Sequence, residues 1–289
     1  MEWLHKLNEA VDYIEKNLDN DIDYDEISKI SGYSLYHFQR LFILVSGIPI
    51  SEYIRRRKLS MAALDLKEKK LKVIDAAMKY GYSSPTSFNR AFKEMHGVAP
   101  SEAKKKEVML NAYAPLSFHI VVEGGDTLRY RIIELPEVRV IGYRLRSTLE
   151  DGQCYSDAPK FWQEIIQSGK LETLIETMNH EIDGVIGISN YQIMEEKSDF
   201  DFYIAVTSDK QPLEGMEEYI IPKSTWAIFE CIGKNPEAMV HMEHRVVSEW
   251  LPSSGYEFAN APDIELHPPG DNQSEAYYSE VWIPVKKVK

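Results

Sequence analysis

Two short segments in the first hundred residues carry matching sets of polar side chains. The first set is Tyr36, Gln39 and Arg40, and the second is Thr86, Ser87, Asn89 and Arg90. Arginine can pair with guanine through two hydrogen bonds, asparagine or glutamine can pair with adenine, and a hydroxyl or a ring can contact a thymine methyl. If helices present these side chains on their outer faces, both segments are suited to recognising DNA bases in the major groove.

A unit of about 50 residues, occurring twice, would position these side chains. Six residues of the first copy recur 50 positions later, namely Phe38, Arg40, Phe42, Gly47, Ser51 and Glu52. In each copy a short apolar helix is predicted to end at a glycine, Gly32 or Gly81. A second helix then begins after a serine N-cap, Ser34 or Ser84. This pattern predicts two helix-turn-helix units, and the repetition favours DNA binding over an ordinary helical hairpin with a polar face.

Helical spacing separates an apolar face from the polar set in each second helix. Leu35, Phe38 and Phe42 of the first copy, and Phe88 and Phe92 of the second, are predicted to be core residues. The seven polar side chains are therefore expected on the outer faces.

Charge follows the same division of the chain. Residues 30–106 contain 15 basic and 6 acidic residues, a net of +9, whereas the whole chain carries −13. Arg55 and Arg56 lie in a basic run, Arg55-Arg56-Arg57-Lys58, that is expected to neutralise DNA phosphates. A solvated helix face remains the alternative for this run.

Residues 5–106 resemble the DNA-binding domain of the AraC/XylS transcription regulators, in which two helix-turn-helix units are joined by a long helix. The resemblance rests on both units, the linking segment 51–68 and the second unit's Gly-Tyr, Phe-x-Arg-x-Phe and Gly-x-x-Pro motifs. It implies that the seven polar side chains named above contact bases. It also implies double-stranded DNA as a partner, and we expect RNA polymerase as a further one.

The rest of the chain differs in composition. Residues 109–289 contain 15 basic and 30 acidic residues, which argues against a second nucleic-acid surface. We predict a multidomain chain: an all-α double helix-turn-helix domain over 1–108, a linker with a strand (115–122) over 109–127, and an α+β domain over 128–289. Strands are predicted at 138–145, 185–189, 201–206, 225–232 and 277–285, with helices at 158–178 and 236–250. Their order indicates a duplicated strand-helix-strand-strand unit.

The last strand contains the sharpest candidate site in this domain. Alternation places Tyr278, Glu280 and Trp282 on one face. An unpaired buried carboxylate is costly, so this set predicts a pocket for a cationic, aromatic or amphipathic effector. The alternatives are an exposed face, or a Glu280 paired with an arginine such as Arg144 or Arg146. Candidate walls, each also explicable as core, are Tyr143, Trp162, Tyr203, Trp226 and Phe229.

Residues 128–287 resemble the GyrI-like small-molecule-binding domains, which occur as effector modules of drug-responsive regulators. The resemblance rests on the strand patterns at 130–136, 139–143, 202–206 and 280–285. It implies that Glu280 is the ligand-contacting glutamate of this chain.

Other patterns favour no further chemistry. His241 and His244 lack a third metal ligand, and two cysteines, Cys154 and Cys231, are too few for a disulfide framework. We therefore expect no metal, no cofactor and no membrane segment, in a reduced cytoplasmic protein without a signal peptide. The predicted function is transcription regulation by a small-molecule effector and not catalysis. The alternatives are a hydrolase domain that uses Glu280 as general base, and an acidic domain that binds a protein or mimics DNA.

Overall fold

The structure is a computed structural model that describes residues 2–68, 71–105, 107–119, 127–148, 153–190 and 199–288. The chain divides into two compact units, residues 1–119 and 120–289. The first is helical and the second is built on an antiparallel sheet, which confirms the predicted fold class. No helix in these ranges is both long enough and apolar enough to span a membrane.

Two helix-turn-helix units are present in the first unit, as predicted. Its helices are α1 (Glu2–Lys16), α2 (Tyr24–Ser31), α3 (Leu35–Ser46), α4 (Ile50–Glu68), α5 (Val73–Lys79) and α6 (Pro85–His96). Helices α2 and α3 form the first hairpin, α5 and α6 form the second, and α4 joins them. With 19 residues, α4 is about 28 Å long.

Local capping explains where the second helix of each hairpin begins. The Ser34 hydroxyl accepts the backbone N–H of His37 at 3.4 Å, and the Ser84 hydroxyl accepts that of Ser87 at 3.1 Å. Pro85 occupies the first position of α6, where no N–H is needed. Gly32 takes a φ of 71°, which an L side chain adopts only with strain, so α2 ends there.

Helix α4 supplies core residues to the second hairpin. Leu59, Ala62 and Leu66 pack in one cluster with Phe88 and Phe92 of α6. In the first hairpin, the Phe42 ring lies 5.5 Å from the Tyr53 ring and 5.8 Å from the Phe118 ring. The predicted core faces therefore pack as the helical spacing indicates.

The segment after the second hairpin, residues 107–119, packs on the helices and is called the strap below. Its backbone N–H groups at Tyr113, Leu116 and Phe118 donate to Ser60 Oγ, the Tyr53 hydroxyl and Asn8 Oδ1, at 3.0, 3.1 and 2.9 Å. The predicted strand at 115–122 is wrong over 115–119, because these backbone groups bond to helix side chains and not to another strand. Residues 120–122 lie outside the described ranges.

A buried ion pair fastens the strap to α1 and α4. Arg57 Nη2 lies 2.7 Å from Glu15 Oε2, and Arg57 Nε donates to Glu15 Oε1 at 2.8 Å. Arg57 also donates to the Tyr113 carbonyl. The Tyr53 hydroxyl donates to Glu15 as well, and burial together with this bond raises the pKa of Tyr53. Arg57 is therefore a structural residue, contrary to the phosphate role expected for the whole basic run.

Nine strands are present in the described residues of the second unit. They are β1 (Tyr130–Leu135), β2 (Val138–Thr148), β3 (Val185–Asn190), β4 (Asp199–Thr207), β5 (Glu217–Ile221), β6 (Ser224–Ile232), β7 (Tyr256–Phe258), β8 (Asp263–His267) and β9 (Tyr278–Lys287). The sheet order is β1-β6-β9-β8-β3-β4-β2-β5, with β7 beside β9. The first half of the duplication contains β1 to β4, and the second contains β5 to β9. Each edge strand pairs with a long strand of the other half, β1 with β6 and β5 with β2. The predicted duplication is thus present with exchanged edges.

Helices cover one face of this sheet. They are α7 (Cys154–Gln167), α8 (Lys170–Ile175), α9 (Glu237–Arg245), a π-helical turn (Val246–Trp250) and α10 (Leu251–Ser254). The helix predicted at 158–178 is interrupted at Gly169, whose φ of 74° ends α7. Strands β5, β7 and β8 were not predicted, since each has only three to five residues.

We expect Arg57→Gln to lower the free energy of unfolding of the helical unit by about 3 kcal/mol, because Glu15 would be left buried without its cation. The side chains of Arg57 and Glu15 are 8% and 17% exposed. Denaturant unfolding followed by circular dichroism at 222 nm measures this loss. Arg56→Gln, at a more exposed pair, is the control and should cost about 1 kcal/mol or less. Equal losses in the two variants would contradict the structural role of Arg57.

Candidate functional site

The second hairpin presents its predicted polar set to solvent. Thr86, Ser87, Asn89 and Arg90 all lie in the first half of α6 and are exposed, while Phe88 and Phe92 are fully buried. The Ser87 hydroxyl donates to the Ser84 carbonyl at 2.8 Å and accepts from the Ser84 hydroxyl at 3.0 Å, so one of its lone pairs remains able to accept. The expected outer-face placement holds for these four residues, and their base contacts stay a prediction.

The first hairpin differs from expectation. Gln39 and Arg40 are each only 8% exposed, so their predicted outer-face placement is wrong. Val45 of the same helix is exposed, so α3 is not enclosed as a whole, and helical spacing contains no signal for the burial of Gln39 and Arg40. Tyr36 belongs to α3, and its side chain lies outside the described part of the structure.

Arg55 and Arg56 are held by one carboxylate. Arg55 donates to both oxygens of Glu52, at 2.7 and 3.1 Å, and Arg56 Nε donates to Glu52 Oε1 at 2.5 Å. Burial acts to raise the pKa of Glu52, but the hydrogen bonds from the two arginines outweigh it and the pKa is lowered. The arginine side chains are still 39% and 30% exposed, so each retains N–H groups that can meet a phosphate.

In the sheet unit, Glu280 lies at the centre of a group that we call the Glu280 cage: Glu280, Arg131, Tyr278 and Trp282. Glu280 is 3% exposed. Arg131 Nη2 lies 2.9 and 3.0 Å from its two oxygens, Trp282 Nε1 donates at 2.7 Å, and the Tyr278 hydroxyl also donates. Burial and the bond to Glu280 raise the pKa of Tyr278 to about 12.

The cage corrects two expectations about Glu280. Its carboxylate is paired in the ligand-free protein, and the partner is Arg131 and not Arg144 or Arg146. The exchanged edge strand is the reason, because β1 lies beside β6, where Arg131 is opposite Ile228 and diagonal to Glu280. Arg131 was missed because a reach across two strands depends on the order of the sheet.

The predicted aromatic walls fall on two faces. Tyr203, Trp226 and Trp282 belong to one apolar cluster on the face that carries Glu280. Tyr143 and Phe229 lie on the opposite face, under the helices, and Trp162 belongs to helix α7 on that side. There Trp162 packs on His267 at 4.9 Å and Phe229 on Trp250 at 5.1 Å. Tyr143 and Phe229 are core residues and Trp162 is half-buried against the core, since strand alternation and the helical layer direct all three away from Glu280.

A second buried carboxylate, Asp201, lies on the same face in the other half of the sheet. Arg146 Nη1 and Arg144 Nη1 donate to it at 3.1 and 3.4 Å. The sequence signal for this pair of sites was present, because the pattern Asp201-x-Tyr203 recurs as Glu280-x-Trp282 after 79 positions. The two sites differ in that Asp201 has two arginine partners and Glu280 has one.

Comparison with protein families assigns both units. Residues 131–285, more than half of the chain, match the model of the integron-associated effector binding proteins, Cass2. The chain belongs to the Cass2 family. Residues 27–106 match a helix-turn-helix domain model. The Cass2 region contains the whole Glu280 cage, and the helix-turn-helix region contains both hairpins except for the first three residues of α2.

Relatives of this Cass2 protein support the same division. The HTH-type transcriptional activator AarP of Providencia stuartii is 43% identical over 95 residues, which is 33% of this chain and 70% of AarP. The regulatory protein SoxS of Escherichia coli strain K12 is 31% identical over 100 residues, covering 35% of this chain and 94% of SoxS. The predictions of an AraC-type DNA-binding transcription regulator and of an effector-binding domain are confirmed.

A solved structure similar to the Cass2 region is that of SAV2435 bound to tetraphenylphosphonium. It has a TM-score of 0.50 and 24% identity, and the match covers 55% of this chain and 94% of that chain. At this identity the likeness establishes the fold of the domain.

Replacing Arg55 and Arg56 together with Gln should weaken binding to specific and random DNA alike. The slope of log K against log salt should flatten by about one unit for each phosphate that is no longer neutralised. Titrations at four or more salt concentrations provide the slope. Arg57→Gln is the matched control, and its slope should equal that of the parent because the Arg57 guanidinium is occupied by Glu15 and Tyr113. An unchanged slope in the double variant would rule out phosphate binding by Arg55 and Arg56.

Proposed function

We propose that this regulator responds to a lipophilic cation, which binds against the Glu280 carboxylate. The single observation that carries the proposal is a nearly fully buried carboxylate bordered by Trp282 and held by a cation on one sheet face. Aromatic faces and a desolvated carboxylate both attract a large apolar cation. The net charge of −15 over residues 109–289 raises the local concentration of cations around the domain.

The neighbouring surface can accept an apolar group. Tyr203, Trp226 and Trp282 form part of the buried apolar cluster of the Glu280 face and are at most 5% exposed, so the accessible apolar surface lies beside Tyr278. A cavity of about 350 Å³ borders Tyr278 and is lined by the loop residues Pro268, Pro269, Gly270, Asp271, Ser274, Ala276 and Tyr277. Tyr278 is common to this cavity and to the cage. The similarity to SAV2435, whose structure contains tetraphenylphosphonium, makes that cation a suitable probe.

A binding role fits Glu280 better than general-base catalysis. A carboxylate has about four acceptor positions, and the donors from Arg131, Tyr278 and Trp282 occupy them. A general base must instead have a lone pair within reach of a substrate proton. A cationic ligand that replaces one donor occupies the same position on the carboxylate, so we propose that the domain binds its effector without consuming it.

On DNA, we propose that α6 contacts bases through Thr86, Ser87, Asn89 and Arg90, with Arg55 and Arg56 on phosphates. Helix α4, which joins the two hairpins, is about 28 Å long, and two hairpins in one chain suit an asymmetric site that spans successive turns of the duplex, each roughly 34 Å. Tyr36, Gln39 and Arg40 remain predicted contacts of the first hairpin. Gln39 and Arg40 can serve only if their exposure rises on binding. RNA polymerase remains a predicted partner.

Arg90→Ala should weaken binding to the specific site by about 1–3 kcal/mol and leave binding to random DNA nearly unchanged. Fluorescence anisotropy on both duplexes measures the two affinities. Lys93→Ala, one turn further along α6, is the control for loss of a single positive charge. Losses of the same size on both duplexes would make Arg90 a phosphate contact and contradict its assignment to a base.

Glu280→Gln should weaken binding of tetraphenylphosphonium by roughly 2–5 kcal/mol, because the ligand charge loses its buried partner. Binding of the neutral triphenylphosphine oxide should hardly change. Titration calorimetry on the full chain gives both affinities.

Asp201→Asn is the matched control for Glu280→Gln, since it removes the other buried carboxylate of the same face. Its affinity for tetraphenylphosphonium should stay close to that of the parent. If Glu280→Gln binds the cation as tightly as the parent, the effector site lies elsewhere. If the parent converts the cation to another compound, the enzyme alternative holds.

A further inference from the structure

We infer that Arg131 occupies the cation position at Glu280 in the ligand-free protein, and that a cationic effector binds by displacing the Arg131 guanidinium into solvent. Arg131 would then determine specificity as an internal competitor. This inference rests on the proposed function, because it assumes that Glu280 receives the ligand charge.

The occupancy of the carboxylate carries the first step. Arg131, Tyr278 and Trp282 together occupy the acceptor positions of Glu280, and Glu280 is 3% exposed. A ligand can approach the carboxylate only after one donor leaves. Trp282 is 4% exposed and central in β9, so its indole is held by packing.

Charge balance selects Arg131 among the remaining donors. If Arg131 stayed, a bound cation would leave the cage with one excess positive charge in a poorly solvated place, which is costly. Exchange of one cation for another keeps the cage neutral. The Tyr278 hydroxyl carries no charge, so its departure would not achieve this.

The location of Arg131 permits the exchange. Its side chain is 46% exposed, and β1 lies at the edge of the sheet, where its one partner among the described strands is β6. A long arginine side chain at such an edge can swing into water while its strand remains paired. The backbone of the sheet therefore need not open for the ligand to enter.

A second carboxylate, Glu230, lies opposite Glu280 and increases the negative charge that cations must balance. Glu230 lies directly across from Glu280 in the β6–β9 register, and like charges in that position repel. Arg129 Nε lies 3.1 Å from Glu230 Oε2, so one short segment, residues 129–131, supplies the cations for both carboxylates. Departure of Arg131 leaves the negative charge of Glu280 unbalanced. A cationic ligand neutralises this charge, and a neutral ligand does not.

The Asp201 site has no single arginine that a cationic ligand could replace. Two arginines of the internal strand β2 bond to Asp201, and Arg144 is also held by Glu217 at 3.0 Å. A ligand would have to displace two cations to gain one carboxylate. The duplicated sheet therefore has one exchangeable cation position, at Glu280, among the residues that the structure describes.

The test is the affinity of Arg131→Met for tetraphenylphosphonium, measured on the full chain by titration calorimetry. Methionine keeps much of the side-chain length and removes the charge. Removal of the internal competitor should tighten binding by roughly tenfold or more, because the binding-competent fraction of the protein rises. Arg131→Lys, which keeps a charge but has a single point of contact, should give an intermediate increase.

Arg146→Met is the matched control. Its side chain is 45% exposed and pairs with a buried carboxylate on the same face, so it reproduces the change in net charge away from Glu280. Its affinity should equal that of the parent. Affinity that is unchanged or weaker in Arg131→Met would overturn the inference and assign Arg131 a structural role.

Two further outcomes separate this inference from the proposed function. If Glu280→Gln weakens the binding of tetraphenylphosphonium while Arg131→Met does not tighten it, the competitor role fails and the proposed site stands. If Glu280→Gln binds normally, both fail. Should Arg131→Met not fold, a crystal structure of the parent with tetraphenylphosphonium decides. A distance from Arg131 to Glu280 beyond 4 Å supports displacement, and a retained hydrogen bond overturns it.

Discussion

The ion pair between Glu280 and Arg131 links the arrangement of the sheet to the chemistry of its face. A carboxylate taken out of water needs a cation and hydrogen-bond donors beside it, or its burial costs several kcal/mol. Glu280 has both, and the cation comes from an edge strand that belongs to the other half of the domain. The exchange of edge strands thus places a half-exposed arginine charge beside the carboxylate.

The same requirement explains why the two halves of the sheet are not equivalent. Asp201 and Glu280 occupy corresponding positions, but Asp201 is satisfied by two arginines from the strand beside it. The charge of Asp201 is therefore balanced by two arginines, whereas that of Glu280 is balanced by one half-exposed arginine, Arg131. The sheet thus holds two buried carboxylates, and the differing supply of cations distinguishes the proposed effector site at Glu280 from the ion pairs at Asp201.

In the helical unit, a buried pair has a structural role. Glu15 and Arg57 join α1, α4 and the strap, and the strap's backbone bonds to Ser60, Tyr53 and Asn8. Both hairpins and the strap therefore share one packed unit up to His119. Within it, α6 presents its polar residues to solvent, whereas α3 is enclosed over Gln39 and Arg40.

The sequence by itself determined the features that depend on neighbouring residues: the two hairpins with their serine caps, the family, the long strands and the face shared by Tyr278, Glu280 and Trp282. Helical and strand periodicity act over a few residues, so a linear pattern contains them. Tertiary structure alone decided the partner of Glu280, the separation of Tyr143, Trp162 and Phe229 from it, the burial of Gln39 and Arg40, and the structural role of Arg57. Each of these depends on which distant segment packs alongside, and strand order and helix packing are set by the whole fold and not by local spacing.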